Sequence, residues 1–460
     1  MILNDLKNAD IIIFGSGLAA YCTGKSLAYS NKKILFLEGG SEIVDNKSLK
    51  LSKVDDYGHL TNHWSNHWLR VIGGTSKVWA GWTAPFQKSD FLNWPWPIDL
   101  DNLYEYYIKA WNELGRDGEN EIKFYLEQEN NLEEFYIRPF VLINDPLSLS
   151  FKDYEKIENS KLIKNTHLIK LYSENRNKID SFDINFNGKK LNYKLHNRQK
   201  IVLAMGGVGN AQILLQPDNQ YKVPVGNESG QVGKYLMEHP LITAAAEVIL
   251  DNKKNVFGKF AYGTKDYKLS FSLNKNILLK SENLLNCSII IDHFKLLREL
   301  DKNLLNNLKN MLSEDLTRYE VQVMSEQEPV KDNSILISDE KNSAGIYDVN
   351  ARCIFSRKNF SSIEENLNLF GQFLAKNNLG FLKINNDNIY RNWTGSGHTM
   401  GTTRMSDNFS TGVVNENLQH FNYNNLFIIG SSVFPSGGAI NPTLSIMALA
   451  FKLSDYLKKV

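Results

Sequence analysis

Near the N-terminus the run Gly15-Ser16-Gly17-Leu18-Ala19-Ala20 follows G-x-G-x-x-A, and Glu38, with Gly39 after it, stands roughly 20 residues beyond Gly17. This spacing suits a dinucleotide. Gly15 permits a tight turn, Gly17 lets a pyrophosphate approach the backbone, and Ala20 keeps the following helix close to the preceding strand. The helix N-terminus offers N–H groups and a positive dipole end to the phosphates. The Glu38 carboxylate accepts from ribose hydroxyls, and an acid there disfavours a 2′-phosphate, which counts against NADP. The six residues alone also describe a tight turn with no ligand. The apolar run Ile11-Ile12-Ile13-Phe14 before them and the placing of Glu38 favour the dinucleotide. FAD and NAD share the ADP half, so this element leaves the choice between them open.

A second group with chemistry in it is His398, within Ser396-Gly397-His398-Thr399-Met400-Gly401-Thr402. An imidazole with an unperturbed pKa of about 6.5 can accept a hydroxyl proton near neutrality, and small neighbours allow a ring to come close. The plainer alternative is a hydrogen-bonded structural histidine. Asn441 precedes Pro442, and that pair reads as N-cap and first residue of the last helix. His63 and His67 have the i, i+4 spacing of two ligands on a helix, but no third ligand accompanies them and the tryptophans beside them suggest a wall; no metal is expected. His239, before Pro240, reads as structural. The aromatic run Trp79, Trp82, Phe86, Phe91, Trp94 and Trp96 reads as core more than as a substrate platform. Cys22, Cys287 and Cys353 are too few and scattered for a disulfide framework or a zinc cluster.

These groups need a framework. The pattern predicts a βαβ unit, with strands at 11–14 and 33–37 around a helix at 20–30. Residues 45–81 read as loop, 100–114 as a helix, 181–195 as a hairpin, and 200–204 as a strand leading into a helix at 210–215. From 241 to 392 strands alternate with polar turns, with helices expected near 294–313 and 361–377. Residues 442–457 form an amphipathic helix with Leu444, Met447, Ala448 and Phe451 on one face. The 460 residues are 42% apolar and 22% charged, an ordinary globular composition. The 52 basic and 51 acidic side chains leave a net charge of +1, which gives no bulk attraction to nucleic acid or an anionic membrane. No run reaches the ~18 apolar residues of a membrane span, and the mixed polar start lacks a secretory signal. The expectation is a cytoplasmic chain.

Taken together, distant segments resemble the GMC (glucose–methanol–choline) FAD-dependent oxidoreductases. The segments are Gly15 to Ala20 with Glu38; Arg70-Val71-Ile72-Gly73-Gly74-Thr75-Ser76 with Trp79-Ala80-Gly81; and Val202-Leu203-Ala204-Met205-Gly206-Gly207-Val208-Gly209-Asn210-Ala211-Gln212-Ile213-Leu214. Further on come Val232-Gly233-Lys234 with Glu238-His239-Pro240; His398-Thr399-Met400-Gly401-Thr402-Thr403-Arg404-Met405; and Gly412-Val413-Val414, then Gly430-Ser431-Ser432-Val433-Phe434-Pro435, to Asn441-Pro442-Thr443. They occur in the family's order from end to end. Trp79 stands where many members carry Asn, and Gly430 replaces a frequent Asp; both departures resemble a bacterial branch with sugar-type substrates.

The resemblance implies an α/β fold: a Rossmann-like FAD-binding domain of residues 1–90, 155–240 and 393–460, and an α+β substrate domain on an antiparallel sheet, residues 91–154 and 241–392. It implies alcohol oxidation, with His398 as base and Asn441 as its partner on the substrate hydroxyl. The substrate would be a primary or secondary alcohol, on a sugar, amino sugar or polyol, and the electron acceptor oxygen, a quinone or a carrier protein. FAD would lie on Gly15 to Ala20, Glu38, Gly39, Gly73, Gly74, Thr75, Ser76, Val78, Trp79, Ala80, Gly81, Leu168, Met205, Gly206, Gly430, Ser431, Asn441, Pro442 and Thr443. No histidine lies between Gly73 and Phe86, where some members attach their flavin, so non-covalent FAD is expected. A redox-neutral flavoprotein such as a lyase, or a non-catalytic FAD-binding protein, are the alternatives on the same scaffold.

Overall fold

Two four-residue apolar strands, buried on both faces, carry the N-terminal turn. The computed structural model describes residues 2–60, 64, 67–128, 133–218, 222–254, 266–281 and 284–460. In it β1 (Ile11–Phe14) and β2 (Ile34–Leu37) flank helix α1 (Leu18–Leu27). β3 (Ser160–Ile163), β4 (Lys200–Leu203) and β5 (Leu426–Ile428) complete a sheet in the order β5-β4-β1-β2-β3, with every pairing parallel. Strands buried on both faces read as continuous apolar runs, which is why Ile11 to Phe14 and Ile34 to Leu37 show no alternation. Helix α2 (Gly206–Leu214) follows β4, and α3 (Thr443–Leu457) ends the fold beside α1, where Ser454 Oγ donates to Thr23 O at 3.0 Å.

The second large sheet is antiparallel. Its strands run in the order Gly380–Ile384, Pro240–Asp251, Leu316–Ser325, Cys287–Lys295, Ser270–Leu273 and Phe135–Ile137. The helix Arg357–Lys376 packs against it, with Phe370 meeting the rings of Phe135 and Phe271 at 5.3 and 4.9 Å. The helix expected near 294–313 is shorter, Lys302–Met311. Phe294 and Lys295 belong instead to the strand before it, because they pair with Tyr319 and Arg318. Local pattern lost there to cross-strand pairing.

An irregular ladder extends the edge of the antiparallel sheet at the start of Pro240–Asp251. Trp393–Gly395 pairs with the start of Pro240–Asp251 in the register Pro240↔Gly395, and Met237, three residues before Pro240, bridges Met400. Between these contacts Glu238 and His239 face Ser396, Gly397, His398 and Thr399. Two residues opposite four force the longer segment to bow out, as at a bulge. Among the described residues no helix is long and apolar enough to cross a membrane.

Candidate active site

The turn between β1 and α1 opens on a cavity of about 440 Å³, within the ordinary range for small-molecule sites. Gly15 has φ +104°, and a Cβ there would lie 2.4 Å from Ala204 O at the end of β4. Gly17 is different: its φ of −78° suits any residue, and a Cβ would meet nothing nearer than Gly73 O at 3.9 Å. Space beside Gly17 is therefore left for something other than protein. Gly17 caps α1 without any side-chain bond, so the first N–H groups of α1 stay available to an anion. Glu38 stands at the end of β2, where its Oε2 accepts from Ser16 Oγ at 2.6 Å and its Oε1 from Gly40 N at 2.7 Å. Burial pushes this carboxyl up, opposed by the Ser16 hydroxyl and the Gly40 N–H.

Most of the residues singled out in the sequence come together around this one cavity. Gly15, Ser16, Gly17, Leu18, Ala19, Glu38, Gly39, Leu168, Met205 and Gly206 line it, as do Gly74, Thr75, Ser76, Val78, Trp79, Ala80, Gly430, Ser431, His398, Asn441, Pro442 and Thr443. Three do not. Ala20 lies in the core between α1 and the sheet, while Gly73 and Gly81 are left-handed turn residues (φ +91° and +75°) packed against the carbonyls of Leu149 and Ile143.

Several further wall residues were not assigned to the site from the sequence: His67, Trp68, Arg70, Trp82, His167 and Ser396. Arg70 had a signal, since it opens the second glycine segment. Its guanidinium donates to Leu51 O at 2.9 Å and Gln212 Oε1 at 2.6 Å, and burial pulls its pKa to about 10. His67 packs against the loop of His398, where a Cβ on Gly397 would come 2.4 Å from its Nδ1; His63 lies outside the described residues. Trp79 is fixed by its Nε1, which donates to Leu147 O at 3.1 Å.

The bowed segment brings Glu238, His239 and His398 together, with Asn441 beside them. The Glu238 carboxylate accepts from the backbone N–H of His239 at 2.8 Å, Ser396 at 3.2 Å and His398 at 2.7 Å, so one buried side chain shapes the loop from inside. His398 Nδ1 lies 2.8 Å from His239 Nδ1, and His398 Nε2 lies 3.3 Å from Asn441 Nδ2. His239 Nε2 lies 2.9 Å from Gly438 O and 3.2 Å from Gly437 O. Burial holds the His239 imidazole below its ordinary pKa, against the Glu238 carboxylate and the two carbonyls. His239, read from the sequence as structural, sits with its ring against that of His398. Asn441 is not the N-cap of α3. Pro442 takes that place, which leaves the Asn441 amide for His398.

The arrangement fits a dinucleotide with a reactive ring. Two helix N-termini, those of α1 and α3, open uncapped on the same cavity, and space is kept at Gly17. Of the described lining residues only Glu38 and Arg70 carry a full charge, and they interact with each other.

Comparison with known proteins gives the same picture. Residues 329–450 match the family model described as GMC oxidoreductase. The chain is 26% identical over 277 residues to the 2-methyl-1,2-propanediol dehydrogenase of Mycolicibacterium austroafricanum. That match covers 57% of this chain and 48% of the relative, so it spans about half of the relative's length. Pyridoxine 4-oxidase from Mesorbium loti superposes with a TM-score of 0.59 at 15% identity, covering 98% of this chain and 99% of that one. A variant formate oxidase of Aspergillus oryzae, solved for its FAD modification, gives 0.58 at 14% identity, covering 98% of each chain. The C-terminal region that matches the GMC oxidoreductase model supplies both His398 and Asn441, and the fold shared with the solved structures runs from end to end.

Proposed function

We propose that the chain oxidises a primary or secondary alcohol to the carbonyl, with His398 as the base and FAD held non-covalently in the cavity. The observation that carries this reading is the placing of His398 and Asn441, 3.3 Å apart, in the same cavity as the turn of Gly15 to Ala20. FAD, when bound, supplies the acceptor for the hydride on the hydroxyl-bearing carbon. His398 takes the hydroxyl proton, and Asn441, with an amide donor and acceptor, holds the hydroxyl against it. The uncapped N-terminus of α3 puts a positive dipole end where negative charge would develop. In this reading residues 1–90, 155–240 and 393–460 hold the cofactor, while 91–154 and 241–392 shape the substrate side.

The substrate we infer is neutral: a sugar, amino sugar in its uncharged form, or polyol. Among the described lining residues no full charge other than Glu38 and Arg70 is present, and those two belong to the turn side of the cavity. The relative that oxidises a small diol supports the same class. The test is anaerobic bleaching of the bound flavin by a panel of sugars, polyols and simple alcohols. A neutral alcohol should bleach it, and His398→Ala should slow the bleaching by roughly 10²–10⁴-fold with the flavin still bound. Cleavage of a compound without bleaching by any alcohol would replace this reading with a redox-neutral one.

A further inference from the structure

A neutral imidazole can take a proton only at the ring nitrogen that carries none. We propose that His239 is a positioning residue that decides which nitrogen this is in His398: it keeps the hydrogen on Nδ1 and leaves Nε2 as the basic atom, facing Asn441 and the cavity. This deepens the function proposed above and rests on it for its consequence.

Two backbone carbonyls face the far side of the His239 ring. Gly438 O and Gly437 O lie 2.9 and 3.2 Å from His239 Nε2. A carbonyl oxygen only accepts, so Nε2 carries a hydrogen. The charged groups acting on the ring are Glu238 and Asp90, and both favour a cation, yet burial outweighs them and pulls the pKa down. His239 is thus neutral near pH 7, and its Nδ1 is a lone pair. That lone pair meets His398 Nδ1 at 2.8 Å, with the rings edge to face at 81°. Only a hydrogen on His398 Nδ1 makes this a bond. The far side agrees, since the Asn441 Nδ2 amide, a donor, lies 3.3 Å from His398 Nε2.

The carbonyls are themselves held. A Cβ on Gly437 would stand 2.9 Å from His239 Nε2, so glycine is what lets the loop come against the ring. Gly438 has φ +55°, and the next residue, Ala439, donates its N–H to Asp90 Oδ1 at 3.4 Å. Asp90 is paired in turn with Arg138, both fully buried. When His398 Nε2 gains a proton, no ring has to turn: Nδ1–H keeps its bond to His239, now strengthened by charge.

The tautomer can be read without turnover. In the FAD-bound protein labelled with ¹⁵N-histidine, long-range ¹H–¹⁵N spectra distinguish a protonated from an unprotonated ring nitrogen, and the His398 signals are those missing from His398→Gln. The expected result is neutral His398 with hydrogen on Nδ1; hydrogen on Nε2 overturns the proposal. His239→Leu removes the acceptor and should give mixed tautomers and a His398 pKa lower by about one unit. His239→Asn, which offers an amide oxygen near the place of Nδ1, should restore both. An unchanged tautomer and pKa in His239→Leu also overturns the proposal, and the wild-type spectrum decides alone if that variant does not fold. Should the spectrum show Nδ1–H while no alcohol bleaches the flavin, the proposed reaction falls and the role of His239 stands.

Discussion

Glu326 is a carboxyl with almost no water around it, 1% exposed, and its nearest charges are Asp90 and Arg138. Burial first, and then the Asp90 carboxylate, push its pKa from 4.5 to about 8, against the N–H groups of Asn286 and Gly438 and the Arg138 guanidinium. Asp90 is the one of the two that pairs with Arg138 and accepts from Asn286 Nδ2 at 2.7 Å. Two ionised carboxylates beside one guanidinium would leave a buried charge unpaired, so Glu326 holds its proton. The unfolded chain releases this proton near pH 4.5 and the folded chain near pH 8, so the contribution is full below the first value and is lost as pH rises to the second. Glu326→Gln cannot titrate. Its stability should stay flatter than wild type between pH 5 and 8, and the gap between the two proteins should change by on the order of a few kcal/mol across that window. Urea midpoints at both pH values measure it; parallel curves would show that Glu326 is ionised in the fold.

At the scale of the β1–α1 turn, its two glycines do different work. Gly15 holds a backbone conformation that an L side chain resists, with no room for a Cβ beside Ala204 O. Gly17 has an ordinary conformation and free space. Gly15→Ala should therefore lower the stability of the flavin-free protein by about 1–3 kcal/mol. Gly17→Ala should leave that stability within about 0.5 kcal/mol but weaken FAD retention, because the added methyl occupies the cradle. Urea denaturation of the flavin-free variants, beside titration with FAD, separates the two; equal loss of stability would mean that the cradle at Gly17 is protein packing. The turn was legible because its determinants are local: short apolar strands, glycines at fixed offsets, and an acid at the end of β2. The contact of His239 with His398 was not, since it depends on a ladder that pairs Pro240 with Gly395 and Met237 with Met400. Residues 159 positions apart carry no periodicity that announces such a bulge. The Asp90–Arg138–Glu326 cluster was hidden for the same reason, and Phe294 was misread because strand pairing overruled helical spacing.

Across the whole molecule the cavity wall is drawn from segments between Phe14 and Ile446, among them the β1–α1 turn, the segment around Trp79, the start of α2, the loop of His398 and the N-terminus of α3. No short piece of chain can rebuild such a wall when unfolded. FAD should therefore bind the folded chain alone and stabilise it by mass action: about 2.7 kcal/mol at a free concentration 100 times Kd. The size of the effect makes the linkage visible. Flavin-free protein should melt at a temperature that climbs with the logarithm of added FAD, by a few degrees over two decades of concentration. NAD should do much less, since beyond the shared ADP half it carries a single nicotinamide ring in place of the larger tricyclic flavin. The same titration separates a non-covalent flavin from a tethered one. If FAD is tethered, denaturation releases none and added FAD leaves the melting temperature unchanged. If it is free to dissociate, unfolding releases the flavin from the protein into solution, and the stability returns when FAD is restored.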